Sequence, residues 1–192
     1  MEKVKVSNLK VVLIGGSAGS LDVVMQLLPA LRPNLSNIAI ILIMHRKSAS
    51  ENLLANLLST RTALPLGEAE EKQSIKGGHV YIAPADYHLL IERDRSFSLD
   101  ASEKINYSRP SIDVTFESAA DVFGSDAIGI LLSGANADGV DGLMAIKNKG
   151  GTIVVQNPAS AEVPYMPEMA VARTRPDSIL NKRELAEYIN LL

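Results

Sequence analysis

Residues 11–14 and 38–44 are apolar at every position, the pattern of strands covered on both faces. Each is followed by a stretch with a helical period. After the first come Gly15-Gly16-Ser17-Ala18-Gly19-Ser20 and a stripe of Leu21, Val24, Met25 and Leu28 closed near Pro29. After the second, Leu53, Leu54, Leu57 and Leu58 give residues 51–59 the same spacing. This N-terminal part therefore reads as βαβα, the opening of a parallel sheet with helices on its faces.

The pattern changes in the middle of the chain. Residues 79–83 and 87–92 flank Pro84-Ala85-Asp86, and 96–100 follow a charged turn, which predicts short antiparallel strands at a sheet edge. Pro110 suits the start of a helix over 112–123, which Gly124 ends. A strand over 127–132, a helix over 139–149 closed by Gly150-Gly151, a strand over 152–156 and a last helix over 183–192 complete the reading. The predicted fold is α/β: three layers, doubly wound, with a mostly parallel sheet and an antiparallel edge hairpin. No repeat, low-complexity run or linker interrupts the 192 residues, so 1–192 is assigned to one domain.

Composition narrows the chemistry more than the fold. With no cysteine there is no disulfide frame, thiolate metal site or cysteine nucleophile, so any nucleophile is oxygen or nitrogen. A net charge of −3, five tyrosines, three phenylalanines and no tryptophan offer neither a basic surface nor a stacking platform for nucleic acid. The longest apolar run, 38–44, is far short of the about 20 residues that cross a bilayer. The first ten residues are too polar for a targeting segment, so a cytoplasmic protein that is not membrane-embedded is expected.

Open parallel sheets carry their sites beyond the carboxyl ends of the strands. Three polar residues fall there: Ser17 in the glycine turn after the first strand, His45 directly after the second, and Asp138 after the strand at 127–132. A serine hydroxyl becomes a nucleophile when an imidazole takes its proton and an acid holds the imidazole. Each of the three also has a plain structural reading. The glycine turn around Ser17 can pack helix on strand or cradle a phosphate, a lone histidine can be structural, and an aspartate before glycine at a helix start is a common N-cap. A dinucleotide fingerprint and a P-loop are both missing from the turn. Chain order also argues against the ordinary α/β-hydrolase arrangement, because no histidine follows Asp138. His79 and His88, nine residues apart, suggest no metal pair and read as structural or rim residues; no metal or cofactor is expected.

Five blocks in order carry a family resemblance. They are Gly15-Gly16-Ser17-Ala18-Gly19-Ser20, Met44-His45, His79-Val80-Tyr81-Ile82-Ala83-Pro84, Arg109-Pro110-Ser111-Ile112-Asp113-Val114, and Leu132-Ser133-Gly134-Ala135-Asn136-Ala137-Asp138-Gly139. From about residue 11 to 170 the chain resembles the catalytic domain of the chemotaxis protein-glutamate methylesterases, the CheB family. The resemblance implies a Ser17–His45–Asp138 triad, an oxyanion hole built from backbone near Ala18 and Ala135, and hydrolysis of glutamate γ-methyl esters on the cytoplasmic helices of methyl-accepting chemoreceptors, with glutamine deamidation as a second activity. Arg46, Lys47 and Arg109 are candidates for drawing an acidic receptor helix into the cleft, or are solvated surface charges.

Departures from the family pattern lie around the cleft and spare the three residues. They are Ala18-Gly19-Ser20 after the serine, Arg46-Lys47 after the histidine, and Ala135-Asn136 before the aspartate. About ten residues precede the first strand, where many members carry a receiver domain, so regulation by a separate response-regulator chain is one expectation and constitutive activity the other. Two further readings stay open: a serine hydrolase of this fold acting on another ester, and a non-catalytic module that binds receptor helices.

Overall fold

The computed structural model describes residues 9–46 and 53–192. Among the described residues nine strands are formed: β1 (Lys10–Gly16), β2 (Ile38–Met44), β3 (Leu66–Glu68), β4 (His79–Ile82), β5 (His88–Ile91), β6 (Phe97–Asp100), β7 (Ala127–Leu131), β8 (Thr152–Gln156) and β9 (Ser178–Leu180). The helices are α1 (Ser20–Leu27), α2 (Leu53–Ser59), α3 (Ile112–Phe123), α4 (Val140–Asn148), α5 (Tyr165–Thr174) and α6 (Lys182–Asn190). Seven strands make one parallel sheet in the order β3-β4-β2-β1-β7-β8-β9. From β1 the chain builds to β2 and β4 on one side, with β3 outside β4, and to β7, β8 and β9 on the other, so the topological switch lies at the centre of the sheet, where open α/β folds place their sites.

The two faces of β1 explain why residues 11–14 are all apolar. Val11 and Leu13 face a core shared with Phe116, Leu143, Ile146 and Met166 of α3, α4 and α5. Val12 and Ile14 face the opposite core, with Val24, Leu27, Leu58 and Ile189 of α1, α2 and α6. All four are at most 1% exposed, and each contributes roughly 1.5–3 kcal/mol by leaving water. The outcome is the expected three-layer α/β fold. Among the described residues no helix is long and apolar enough to cross a membrane.

The middle of the chain corrects the sequence reading in one respect. Residues 79–82 do not lie at an antiparallel edge but pair in parallel with β2, Ala39 opposite His79, with β3 outside them. The antiparallel hairpin is β5-β6, and it forms its own two-stranded sheet. It stays there because α3 supplies partners: Thr115 Oγ1 donates to the Leu89 carbonyl at 2.7 Å, and the Ile91 amide donates to Ser118 Oγ at 3.0 Å. Leu89, Ile91 and Phe97 then fill the core beneath that helix. Lys47 and the proposed first residues of the second helix, 51 and 52, lie outside the described residues.

Candidate active site

Ser17 and His45 are brought together by strand register alone. Gly16 is paired with Met44 at the ends of β1 and β2, and the His45 amide donates to the Gly16 carbonyl at 3.1 Å. The next residue on each strand is therefore at the same level. Ser17 turns out of the sheet because its carbonyl accepts from both the amide and the hydroxyl of Ser20, at 3.0 and 2.6 Å. Gly19 takes the left-handed conformation this turn needs, φ 79°, which other residues adopt at a cost.

The other wall of the site comes from the loop after β7. The Ser17 amide donates to the Ser133 carbonyl at 2.9 Å, and Ser133 Oγ donates to the Ala18 carbonyl at 2.7 Å while accepting the Val163 amide at 2.9 Å. The Gly134 amide is likewise occupied, by the Val163 carbonyl. Among the described residues the next amides on the two loops, those of Ala18 and Ala135, have no hydrogen-bond partner.

Asp138 is buried and fully engaged. It accepts from His45 Nε2 at 2.7 Å, from the Ile112 amide at 2.7 Å, and from Ser111 Oγ and the Asp113 amide at 3.0 Å each. Three of these donors are the start of α3, so the positive end of that helix also faces the carboxylate. Burial pushes the carboxyl up, but the His45 hydrogen bond and the Ile112 and Asp113 amides outweigh it and hold Asp138 below its ordinary value. An ionised carboxylate at 2.7 Å fixes the proton of neutral His45 on Nε2, which leaves Nδ1 bare and able to act as a base.

Asp113 mirrors this arrangement. Its Oδ1 accepts the Gly139 and Gly142 amides at 2.8 and 2.7 Å, so the acid of α3 caps α4 while the acid before α4 caps α3. Burial, with Asp138 and Asp141 adding and the Gly142 amide opposing, pushes Asp113 up to about 7. Because the folded-state value lies above the ordinary 3.8, the unfolded chain releases this proton first as pH rises. Asp113 therefore withdraws stability between about pH 4 and pH 7. Asp113→Asn keeps the acceptor and removes the titration. The fall in urea midpoint from pH 5 to pH 8 is expected to be smaller in this variant than in the wild type, and an equal fall would refute the assignment.

Ser17, His45 and Arg46 form the polar edge of a cavity of about 240 Å³ whose other walls are Leu21, Met44, Leu53, Leu54 and Leu57. Among the described residues no hydrogen bond links Ser17 Oγ to the His45 ring; the two meet across this cavity. Such a bond often tightens only when substrate is bound. Arg46 pairs with Glu68 and approaches the Ala83 carbonyl at 3.4 Å. Arg109 donates through Nη1 to the carbonyls of Ala101 and Ser102, at 2.9 and 2.6 Å, and so straps down the loop before α3.

Residues 12–189 match the CheB methylesterase family. The chain belongs to that family. It is 43% identical over 180 residues to a protein of Leptospira interrogans, covering 94% of this chain and 93% of the other. It is 35% identical over 190 residues to the protein-glutamate methylesterase/protein-glutamine glutaminase of Bordetella parapertussis, spanning 95% of this chain and 53% of that relative. The solved catalytic domain of the Thermotoga maritima CheB methylesterase superposes with a TM-score of 0.91 at 32% identity, over 96% of this chain and 99% of that one.

Within this CheB fold, the three sequence candidates Ser17, His45 and Asp138 lie at neighbouring strand ends, and what surrounds them was not foreseen. Ser108 approaches His45 Nδ1 at 3.4 Å. His88, read as structural, accepts the Ser111 amide at Nδ1 and donates from Nε2 to the Glu103 carbonyl. Ser111 and Asp113 lie in one of the five family blocks without a role being read for them, and Ser108 lies just before it; the packing of α3 against the loops of β1 and β7 is what brings all three to the site.

Proposed function

We propose that this protein hydrolyses glutamate γ-methyl esters on the cytoplasmic helices of methyl-accepting chemoreceptors, and deamidates glutamine there by the same route. The observation that carries the reading is the 2.7 Å bond between His45 and an ionised, four-fold coordinated Asp138 at the strand end next to Ser17. His45 Nδ1 takes the Ser17 proton as Oγ attacks the ester carbonyl, and the imidazolium that forms is stabilised by Asp138. The amides of Ala18 and Ala135 are placed to hold the oxyanion. The ring then protonates the departing methoxide, giving methanol and an acyl-serine. Water, deprotonated by the same nitrogen, releases free glutamate and restores Ser17. The family match and the names of the relatives support the substrate. Such a substrate lies in the cytoplasm and makes the receptor the partner; regulation by a separate response-regulator chain and constitutive activity both fit this reading.

The test is methanol release from methylated chemoreceptor membranes, with the native protein and Ser17→Ala side by side. Release by the native protein that falls to the blank in the variant is the expected result. Release that persists in Ser17→Ala moves the attack to another group. A native protein that labels with a fluorophosphonate yet frees no methanol belongs to a different ester.

A further inference from the structure

The His45 nitrogen that must act as the base is not empty space in the resting protein. Ser108 Oγ lies 3.4 Å from Nδ1, on the side of the ring away from Asp138. Its second polar neighbour is the Asn106 carbonyl, 3.5 Å away. With Nδ1 bare the hydroxyl donates to it, and with Nδ1 protonated the same oxygen can accept while its hydrogen turns to Asn106.

The chain invests considerable structure in placing this hydroxyl. Ile105 and Ser108 exchange backbone hydrogen bonds at 3.2 and 2.9 Å around Asn106 and Tyr107, both left-handed with φ 50° and 63°. A tyrosine held there is strained, and strain of this kind persists where surrounding structure enforces it. The enforcement comes from both ends of the loop. Arg109 holds the carbonyls of Ala101 and Ser102, and buried His88 holds that of Glu103 while fixing the Ser111 amide.

We propose that Ser108 is a positioning residue for the His45 base: it donates to Nδ1 in the resting protein, turns its hydrogen to the Asn106 carbonyl when the Ser17 hydroxyl takes over that single lone pair, and accepts from Nδ1–H once the ring has taken the Ser17 proton. This rests on the Ser17 and His45 roles proposed above. No atom of Ser108 is consumed: the proton that leaves Ser17 resides on Nδ1 and goes on to the methoxide, and the Ser108 hydrogen only changes acceptor. Hydrogen bonds to an ionised group are about twice as strong as neutral ones, so the hydroxyl favours the imidazolium that forms during each proton transfer. Among the described residues the charged groups on the elements packed at the ring are Asp138 before α4, its neighbour Asp113 on α3, the Arg46–Glu68 pair after β2 and on β3, and Arg109 on the loop of Ser108. All of them remain in a Ser108 variant.

The experiment is the rate of fluorophosphonate labelling from pH 5 to 9, with the adduct mapped by mass spectrometry, for wild type, Ser108→Ala and Ser108→Thr. The alanine variant is expected to label Ser17 about 3- to 10-fold more slowly on the plateau, with the acid limb moved to lower pH by about half a unit. Threonine should restore both, and all three proteins should melt alike. Wild-type labelling at Ser17 with an unchanged alanine profile overturns the role of Ser108 alone. An adduct on Ser108, or a wild type that does not label, overturns this role together with the proposed use of Ser17.

Discussion

Asp138→Ala is expected to abolish most activity and to destabilise the fold at once, which few single substitutions in an enzyme do. The activity loss follows from the imidazole: without the carboxylate at 2.7 Å, neither the tautomer nor the imidazolium is held, and a loss of about 10⁴-fold is the measure of such a change. The stability loss follows from the other three donors. The Ile112 and Asp113 amides and the Ser111 hydroxyl would be left in a buried site without their acceptor. Stranding the partners of a buried charge costs about 3–5 kcal/mol, or roughly 10 °C in Tm for a chain of this length. Asp138→Asn separates the two effects. Its single amide oxygen can still accept from Ser111 Oγ and the Asp113 amide, but its NH2 then faces the Ile112 amide, so only part of the stability should return, whereas the missing charge leaves catalysis nearly as low as in the alanine variant. Thermal melts read beside esterase rates decide the matter. An active, stable alanine variant would remove Asp138 from both roles.

Gly139→Ala is expected to injure the same place from the backbone side. Gly139 is the cap of α4 with φ 97°, a conformation that costs other residues about 1–2 kcal/mol. A β-carbon there would also lie 2.6 Å from Leu131 Cδ1 and 2.8 Å from Ile112 Cγ2. Both neighbours are fully buried, and overpacking of this kind costs about 1–3 kcal/mol more. The site has no room to absorb the shift, because Gly139 follows Asp138 directly and its amide is bonded to Asp113. Displacement of a positioned group by about 1 Å lowers turnover by about 100-fold, so the variant should lose both Tm and rate. A Tm within 2 °C of wild type would show that the loop yields cheaply.

The central strands were legible in the sequence because burial on both faces leaves an unbroken apolar run, and β1 and β2 are of that kind. The edge strands were not. In β3 all three residues are half-buried, and in β9 Ile179 is exposed, so neither carries a run or an alternation. The helix at α5 was missed as well, since Pro167 sits in its first turn and its buried positions are few. β4 was assigned to an edge because the turn after it looks like a hairpin; its true partner, β2, lies about 40 residues earlier. The same division runs through the site. Ser17, His45 and Asp138 stand at strand ends, where a sequence can be read. Ser108 and Asp113 reach the site only through the folding of one segment against another, so even the block that contains Asp113 did not disclose its role.

The exchanged caps at the starts of α3 and α4 tie the proposed catalytic acid to the cooperativity of the fold. Each helix begins on an acid supplied by the other's neighbourhood, so neither start can fray while the other remains intact, and the segment between them opens as one unit. The carboxylate that orients His45 is one of those two acids. On the proposed mechanism no partly opened form of this region is expected to stay active, so thermal inactivation should coincide with the melting of the α3–α4 pair.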